Sequence, residues 1–265
     1  MYMNKLIINA DDCGRSTYDN QKIEEAINKG LITSTSVMAN MDDLEGAVCL
    51  YEQYNNRISF GIHLNLSEGE PLIWSDIYEK TGFCVEDNGK MVFGFCVDEI
   101  KKSPQLAKKK YQFTALSKEL KVCIRQEVKA QIEKIKSSGI EISHIDSHSH
   151  MHLSPFILPI VCDVAREYGL TKMRHSRNRL GYTVKDWVYR GLNCYQNFLM
   201  RGFLKADVFC SAKEYDSIKK EDGLTYELMC HPGITFSHFP EEMHQLEQNI
   251  KRYKQTCQLI TYRDL

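Results

Sequence analysis

The stretch His144-Ile-Asp-Ser-His-Ser-His-Met-His152 holds four of the chain's nine histidines, with Asp146 among them, all at alternate positions. If the backbone stays extended there, His144, Asp146, His148, His150 and His152 share one side of a strand. So much imidazole on one side makes poor core filling. It makes good metal ligands and good partners for metal ligands. A histidine-rich surface loop is the bland alternative. The aliphatic entry and the expected helix start at Ser154-Pro155 argue against it.

Three other polar clusters have the same placement. Asn9-Ala-Asp-Asp-Cys-Gly14 sets two carboxylates side by side after an apolar run. Their repulsion asks for a cation or a proton, although a helix-capping Asp beside a surface Asp would look the same. Gly61-Ile-His-Leu-Asn-Leu66 puts His63 between aliphatics, and Glu227-Leu-Met-Cys-His-Pro-Gly233 puts His231 before a turn signal. Alone, each of these histidines reads as readily as a satisfied core residue. Arg174 closes another short apolar run, as an anion contact, a carboxylate's partner or a rim salt bridge. Together, Asp11, Asp12, His63, the histidine string and His231 describe a metal site with acid and base groups. The chain has no G-x-x-x-x-G-K-[ST], G-x-G-x-x-G or G-x-S-x-G, so P-loop, Rossmann and α/β-hydrolase readings lack their signatures.

These clusters need strand ends to sit on. Short apolar runs at Lys5 to Asn9, Thr33 to Met38, Ile58 to Leu64, Ile142 to Ile145, Lys172 to Arg174 and Tyr226 to Met229 read as strands. Amphipathic helices follow several of them, notably one from Leu116 to Ile135 and one over about 240 to 255. Residues 65 to about 112, with scattered Gly, Pro and aromatics, read as an insertion or lid, and 180–222 resists assignment. Alternating strands and helices imply a mostly parallel sheet with helices outside. The expected fold is α/β, a single-domain distorted β/α barrel over residues 1–265, with an open doubly wound sheet as the alternative. In both, function gathers at the C-terminal ends of the strands.

Composition removes several classes. Thirty-four basic and 35 acidic side chains give a net charge of -1, which argues against a nucleic-acid binder acting through a basic surface. No apolar run approaches the ~20 residues of a spanning helix, so no membrane is expected. The N-terminus shows no secretion-signal pattern. Ten cysteines form no C-x-x-C pair and read as reduced, buried thiols of a cytoplasmic protein.

With Thr33-Ser-Thr-Ser36 added, these motifs resemble the YdjC/ChbG family of carbohydrate deacetylases, in the family's order across residues 7 to 233. The family belongs with the polysaccharide-deacetylase-like barrels. The resemblance implies hydrolysis of N-acetyl groups on sugars, a small carbohydrate substrate and a homodimer. It implies one divalent ion on Asp12, His63 and His148, Mg²⁺ by resemblance, whereas two imidazoles and a carboxylate suit Zn²⁺, Mn²⁺, Co²⁺ or Ni²⁺ and Mg²⁺ would prefer more oxygen. It assigns Asp11 as general base and His231 as general acid. His144, Asp146, His150, His152 and Arg174 remain as supporting or substrate contacts. One departure is Cys13, where the family usually has Phe. Two other classes stay open: a metal hydrolase of phosphate esters or cyclic amides, and a non-catalytic metal- or sugar-binding protein.

Overall fold

Along the first strand, β1 (Asn4–Cys13), residues sort by parity. Leu6, Ile8 and Ala10 join the main apolar core, whereas Ile7, Asn9 and Asp11 do not. Successive side chains of a strand point to opposite faces, so one face packs beneath helices and the other lines an interior. The computed structural model describes residues 3–94, 116–176, 184–235 and 239–265. The same alternation recurs in β2 (Ser34–Val37), β3 (Ser59–Leu64), β6 (Ile145–Ser147), β7 (Val208–Ser211) and β8 (Thr225–Cys230). β2 contributes Val37 to the core, β3 contributes Phe60, Ile62 and Leu64, and β8 contributes Tyr226, Leu228 and Cys230. Ser34, Ser36, Ser59, His63, Asp146 and Glu227 take the alternate positions and are also buried.

These strands and β9 (Cys257–Leu259) form one sheet in the order β6-β3-β2-β1-β8-β7, all pairings parallel, with β9 beside the first residues of β1. Isolated parallel bridges Ile145–Met173 and Lys172–Leu204 continue the curl from β6 toward β7. The expected distorted β/α barrel is therefore found. Lys172 to Arg174 supplies bridges rather than a strand, and β6 starts at Ile145, later than the apolar run suggests.

Helices cover the apolar face: α1 (Thr17–Asn28), α2 (Leu44–Tyr54), the 20-residue α4 (Lys118–Ser137), α5 (Leu158–Glu167), α6 (Val184–Leu199), α7 (Ala212–Ser217) and α8 (Phe239–Thr256). No described helix is long and apolar enough to cross a membrane. The segment 180–222, unassigned from sequence, contains α6, β7 and α7. Ser154-Pro155 does not start a helix as expected: α5 begins at Leu158 after Ile157, with Pro159 in its first turn. The nine described cysteines are free, as expected, and all but Cys49 and Cys194 are buried.

The described part of the insertion folds on itself. A short helix, α3 (Asp76–Thr81), and the antiparallel hairpin β4 (Cys84–Asp87) and β5 (Lys90–Phe93) close around Tyr78, Phe83 and Phe93, whose rings pack within 5.7–6.2 Å of one another. This unit docks on α4: Tyr78 Oη donates to the Cys123 carbonyl, and the Glu127 carboxylate accepts the Leu72 and Ile73 amides. The rest of the expected lid, from residue 95 onward, lies outside the described residues.

Candidate metal centre and active site

Regular alternation would send Asp11 and Asp12 to opposite faces of β1. The pairing register with β2 shifts between Ala10 and Cys13, and Asp12 takes a left-handed φ of 68°. A bulge of this kind re-aims side chains, and here both carboxylates face the interior mouth. Asp tolerates that conformation better than most residues. On the neighbouring strands, His63 and Asp146 are direct register partners on β3 and β6.

Asp12 Oδ1 lies 2.9 Å from His148 Nδ1 and 3.2 Å from His63 Nε2. Each imidazole gives its other nitrogen to a second carboxylate: His63 Nδ1 to Asp146 Oδ1 at 2.7 Å, and His148 Nε2 to Glu68 Oε2 at 3.1 Å. Once the imidazoles are deprotonated, these outer carboxylates would keep the N–H on the far nitrogens and present the lone pairs of His63 Nε2 and His148 Nδ1 to an ion beside Asp12. Donors bonded at about 2.0–2.2 Å to one ion lie roughly 3–3.5 Å apart. The Asp12-centred separations match that spacing, so the residues present fit a divalent cation. Asp11, His63 and Asp146 also cluster, but Arg174, Asn9 and Ser36 already fill the space among them.

The electrostatics agree. Burial alone would raise Asp12, but His148 and His63 hold its carboxyl well below the usual range. Burial opposes a charge on His63, yet Asp146 and Asp12 raise it to about 9. The site therefore calls for positive charge between His63 and Asp12, supplied by a proton or by an ion. Arg15 adds a flanking cation, 3.2 Å from Asp12 Oδ2 and paired with Asp19.

Asp11 is held differently. Arg174 Nη1 and Nη2 each donate to it at 2.7 Å, and Asn9 Nδ2 donates at 2.9 Å. Two of these bonds fill Oδ1 and one falls on Oδ2, so a lone pair of Oδ2 stays open. That oxygen is 3.9 Å from His231 Nε2, beyond hydrogen-bond reach. Burial holds the His231 imidazole below its ordinary value, although Asp11 and Asp12 pull it up. A cavity of about 250 Å³ joins Asp11, His63, His148, His150, His231 and Phe239.

The histidine string does not stay extended. Ser149 and His150 are both left-handed, with φ of 53° and 56°, so the chain turns directly after His148. Its members separate. Asp146 and His148 both contact the Asp12–His63 cluster, and His150 lines the cavity with its ring edge-on to Phe209. His144 stacks on Tyr262 at 3.7 Å, filling the space a side chain on Gly61 would need, and burial lowers it to about 3. His152 lies buried against Ser147 Oγ and the Arg174 carbonyl, lowered to about 4 chiefly by burial. Neither His144 nor His152 faces the cation position. Arg174 is a fully buried partner of carboxylates, not a rim residue.

Asn9, Ser36, Glu68 and Glu227 were not singled out as site residues from sequence. Ser36 Oγ donates to Asp146 at 2.9 Å, and Asn9 reaches Asp11, Ser36 and Asp146. Their position at inward-facing strand ends was the available signal. Glu68 had none, because it depends on a loop pinned by Asn65 Oδ1, which accepts the Ser67 and Glu68 amides. Cys13 is buried against Asn20 Oδ1, burial pushes its thiol up to about 12, and it is not among the clustered donor atoms.

Fold and site together define a curled parallel α/β barrel with a two-histidine, one-aspartate donor set at its mouth. The chain belongs to the YdjC-like protein family, which it matches over residues 5–262. It is similar to proteins named carbohydrate deacetylase. One from Clostridium beijerinckii is 29% identical over 86% of this chain and 81% of its own length. One from Vibrio campbellii is 34% identical over 88% and 80%, and one from Halalkalibacterium halodurans is 28% identical over 98% of each. Among solved structures, an Enterococcus faecalis protein described as one for cellobiose-phosphate cleavage shares the fold. Its TM-score is 0.69, at 22% identity over 99% of this chain and 98% of that one.

Proposed function

We propose that this chain is a metal-dependent hydrolase that removes N-acetyl groups from carbohydrates: amino sugars or chitooligosaccharides, with or without a phosphate. The observation that supports this most is the division of labour between adjacent aspartates. Asp12 sits between two imidazole donors, while Asp11, facing the same cavity, is held in the Arg174 clamp. The relatives' names supply the bond type and substrate class.

When bound at Asp12, His63 and His148, a divalent ion would acidify water and polarise the acetyl carbonyl. Asp11 accepts the proton of the attacking water on the open lone pair of Oδ2. Arg174 and Asn9 hold that carboxylate in place, so little reorganisation is needed. The departing amine needs a proton. His231, neutral at rest because it is buried, takes one from the Asp11 side during turnover and delivers it. Asp146 and Glu68 keep the two donor imidazoles oriented. Glu68 also borders a second cavity of about 340 Å³ between Asn40–Asp42 and the β4–β5 hairpin. This supports the insertion as the part that selects the sugar, and a homodimer in the cytoplasm completes the reading.

The test is release of acetate and free amine from a panel of N-acetylated mono- and oligosaccharides. The metal-stripped protein should be inactive and the reloaded protein active with Zn²⁺, Mn²⁺, Co²⁺ or Mg²⁺. Phosphate release or lactam opening without any acetate would replace this reading.

A further inference from the structure

The lower half of the barrel interior is connected to Asp11. Arg174 Nε donates to Glu227 Oε1 at 2.7 Å, while Nη1 and Nη2 meet Asp11 end-on and Nη1 also lies 2.9 Å from Asp146 Oδ2. A guanidinium offers a carboxylate two forks, end-on through Nη1 and Nη2 or side-on through Nε and one Nη. In the observed orientation the end-on fork meets Asp11 while Nη1 also reaches Asp146. With Glu227 on Nε, the side-on fork is closed and the end-on one is left for Asp11.

Glu227 is not part of the cavity. It is fully buried on β8, in register with Ile7, four residues before Asp11 along β1. Tyr262, in the C-terminal segment, is fully buried with its ring stacked on His144, and neither its phenol nor Glu227 Oε2 has a hydrogen-bond partner among the described residues. The Tyr262 amide donates to Ser59 Oγ, and Lys172 Nζ donates to its carbonyl. The face of Phe209 lies 4.9 Å from the Arg174 guanidinium carbon. A buried carboxylate is costly unless it is paired and held, and nothing in the hydrolysis itself requires one at this depth.

We infer that Glu227 is a positioning residue for the proposed hydrolysis: by occupying Arg174 Nε it fixes the guanidinium end-on to Asp11. This rests on the reading of Asp11 as proton acceptor. What matters is the reach of the side chain and its acceptor oxygen rather than its charge. Gln reaches Nε without the charge. Asp keeps the charge but is one methylene too short.

Glu227→Gln and Glu227→Asp, each as the full chain loaded with Zn²⁺, are compared for kcat, KM, metal content and crystal structure. Glu227→Gln should keep kcat within about threefold, with Arg174 still end-on to Asp11. Glu227→Asp should lose about 10- to 100-fold in kcat, the scale of a small misplacement at a reacting group. Its KM and metal content should be unchanged, and Arg174 should be displaced from Asp11. Glu227→Asp as active as Glu227→Gln, or Arg174 unmoved in both variants, would overturn the inference. If the unmodified protein releases no acetate from any substrate, the proposed function fails. The two crystal structures then decide the role of Glu227 alone: Arg174 displaced only in Glu227→Asp supports it, and any other result overturns it.

Discussion

Asp146 divides its two oxygens between a histidine and an arginine. Oδ1 takes the Nδ1–H of His63 at 2.7 Å, and Oδ2 lies 2.9 Å from Arg174 Nη1. One buried carboxylate thus orients a metal-type imidazole and shares the cation that clamps Asp11. Burial would raise Asp146, but Arg174 and His63 hold it far below the usual carboxylate range. It remains an acceptor throughout.

Asp146→Asn should weaken metal binding more than it weakens folding. Loss of such an outer partner usually costs about 10–100-fold in metal affinity. Glu68→Ala, which removes the carboxylate 3.1 Å from His148 Nε2, should act in the same direction. Competition with a chromophoric chelator measures both, and unchanged Zn²⁺ affinity in both would remove these carboxylates from the account.

Metal affinity should rise with pH. His63 is raised to about 9, so at neutral pH an incoming ion must displace its proton. The apparent affinity should increase by up to about tenfold per pH unit below that value and level off above it. Calorimetry in buffers of different ionisation enthalpy should show proton release on binding. A pH-independent affinity between pH 6 and 8 would contradict the raised imidazole.

Arg174→Leu should be strongly destabilising. It leaves Asp11, Asp146 and Glu227 buried without their shared cation. Breaking a buried pair from one side costs about 3–5 kcal/mol, a drop on the order of 10 °C in Tm for a chain of this size. A thermal melt within 2 °C of the unmodified protein would show that these carboxylates do not depend on the guanidinium.

His231→Ala should slow amide substrates more than activated esters, at unchanged metal content. An amine must be protonated to leave, whereas a good phenolate leaves without help. Equal losses on an N-acetyl sugar and an aryl acetate would remove His231 from the proton-delivery role.

The sequence already showed strand ends bearing Asp11, Asp12, His63, Asp146, His148 and His231, because one such end is unremarkable but several in one chain are specific as a set. Three things were hidden. The bulge that turns Asp12 inward depends on strand register, and no residue type announces it. The histidine string looked like one extended face because period-2 spacing assumes an unbroken strand. Left-handed Ser149 and His150 break it and send His144 and His152 elsewhere. Glu227 and Arg174 meet only because β8 and the Lys172–Arg174 bridge segment curl around a common interior, which is a long-range consequence of the fold.

The most direct measurement is the pair of metal content and turnover in Asp11→Asn, with Asp12→Asn beside it. Asn keeps the shape of Asp11 and cannot take a proton from water. Asp11→Asn should therefore bind metal as the unmodified protein does and lose about 10²–10⁴-fold in acetate release. Asp12→Asn should lose the metal. Full turnover in Asp11→Asn, or loss of its metal while Asp12→Asn keeps its own, would contradict the division of roles on which the account rests.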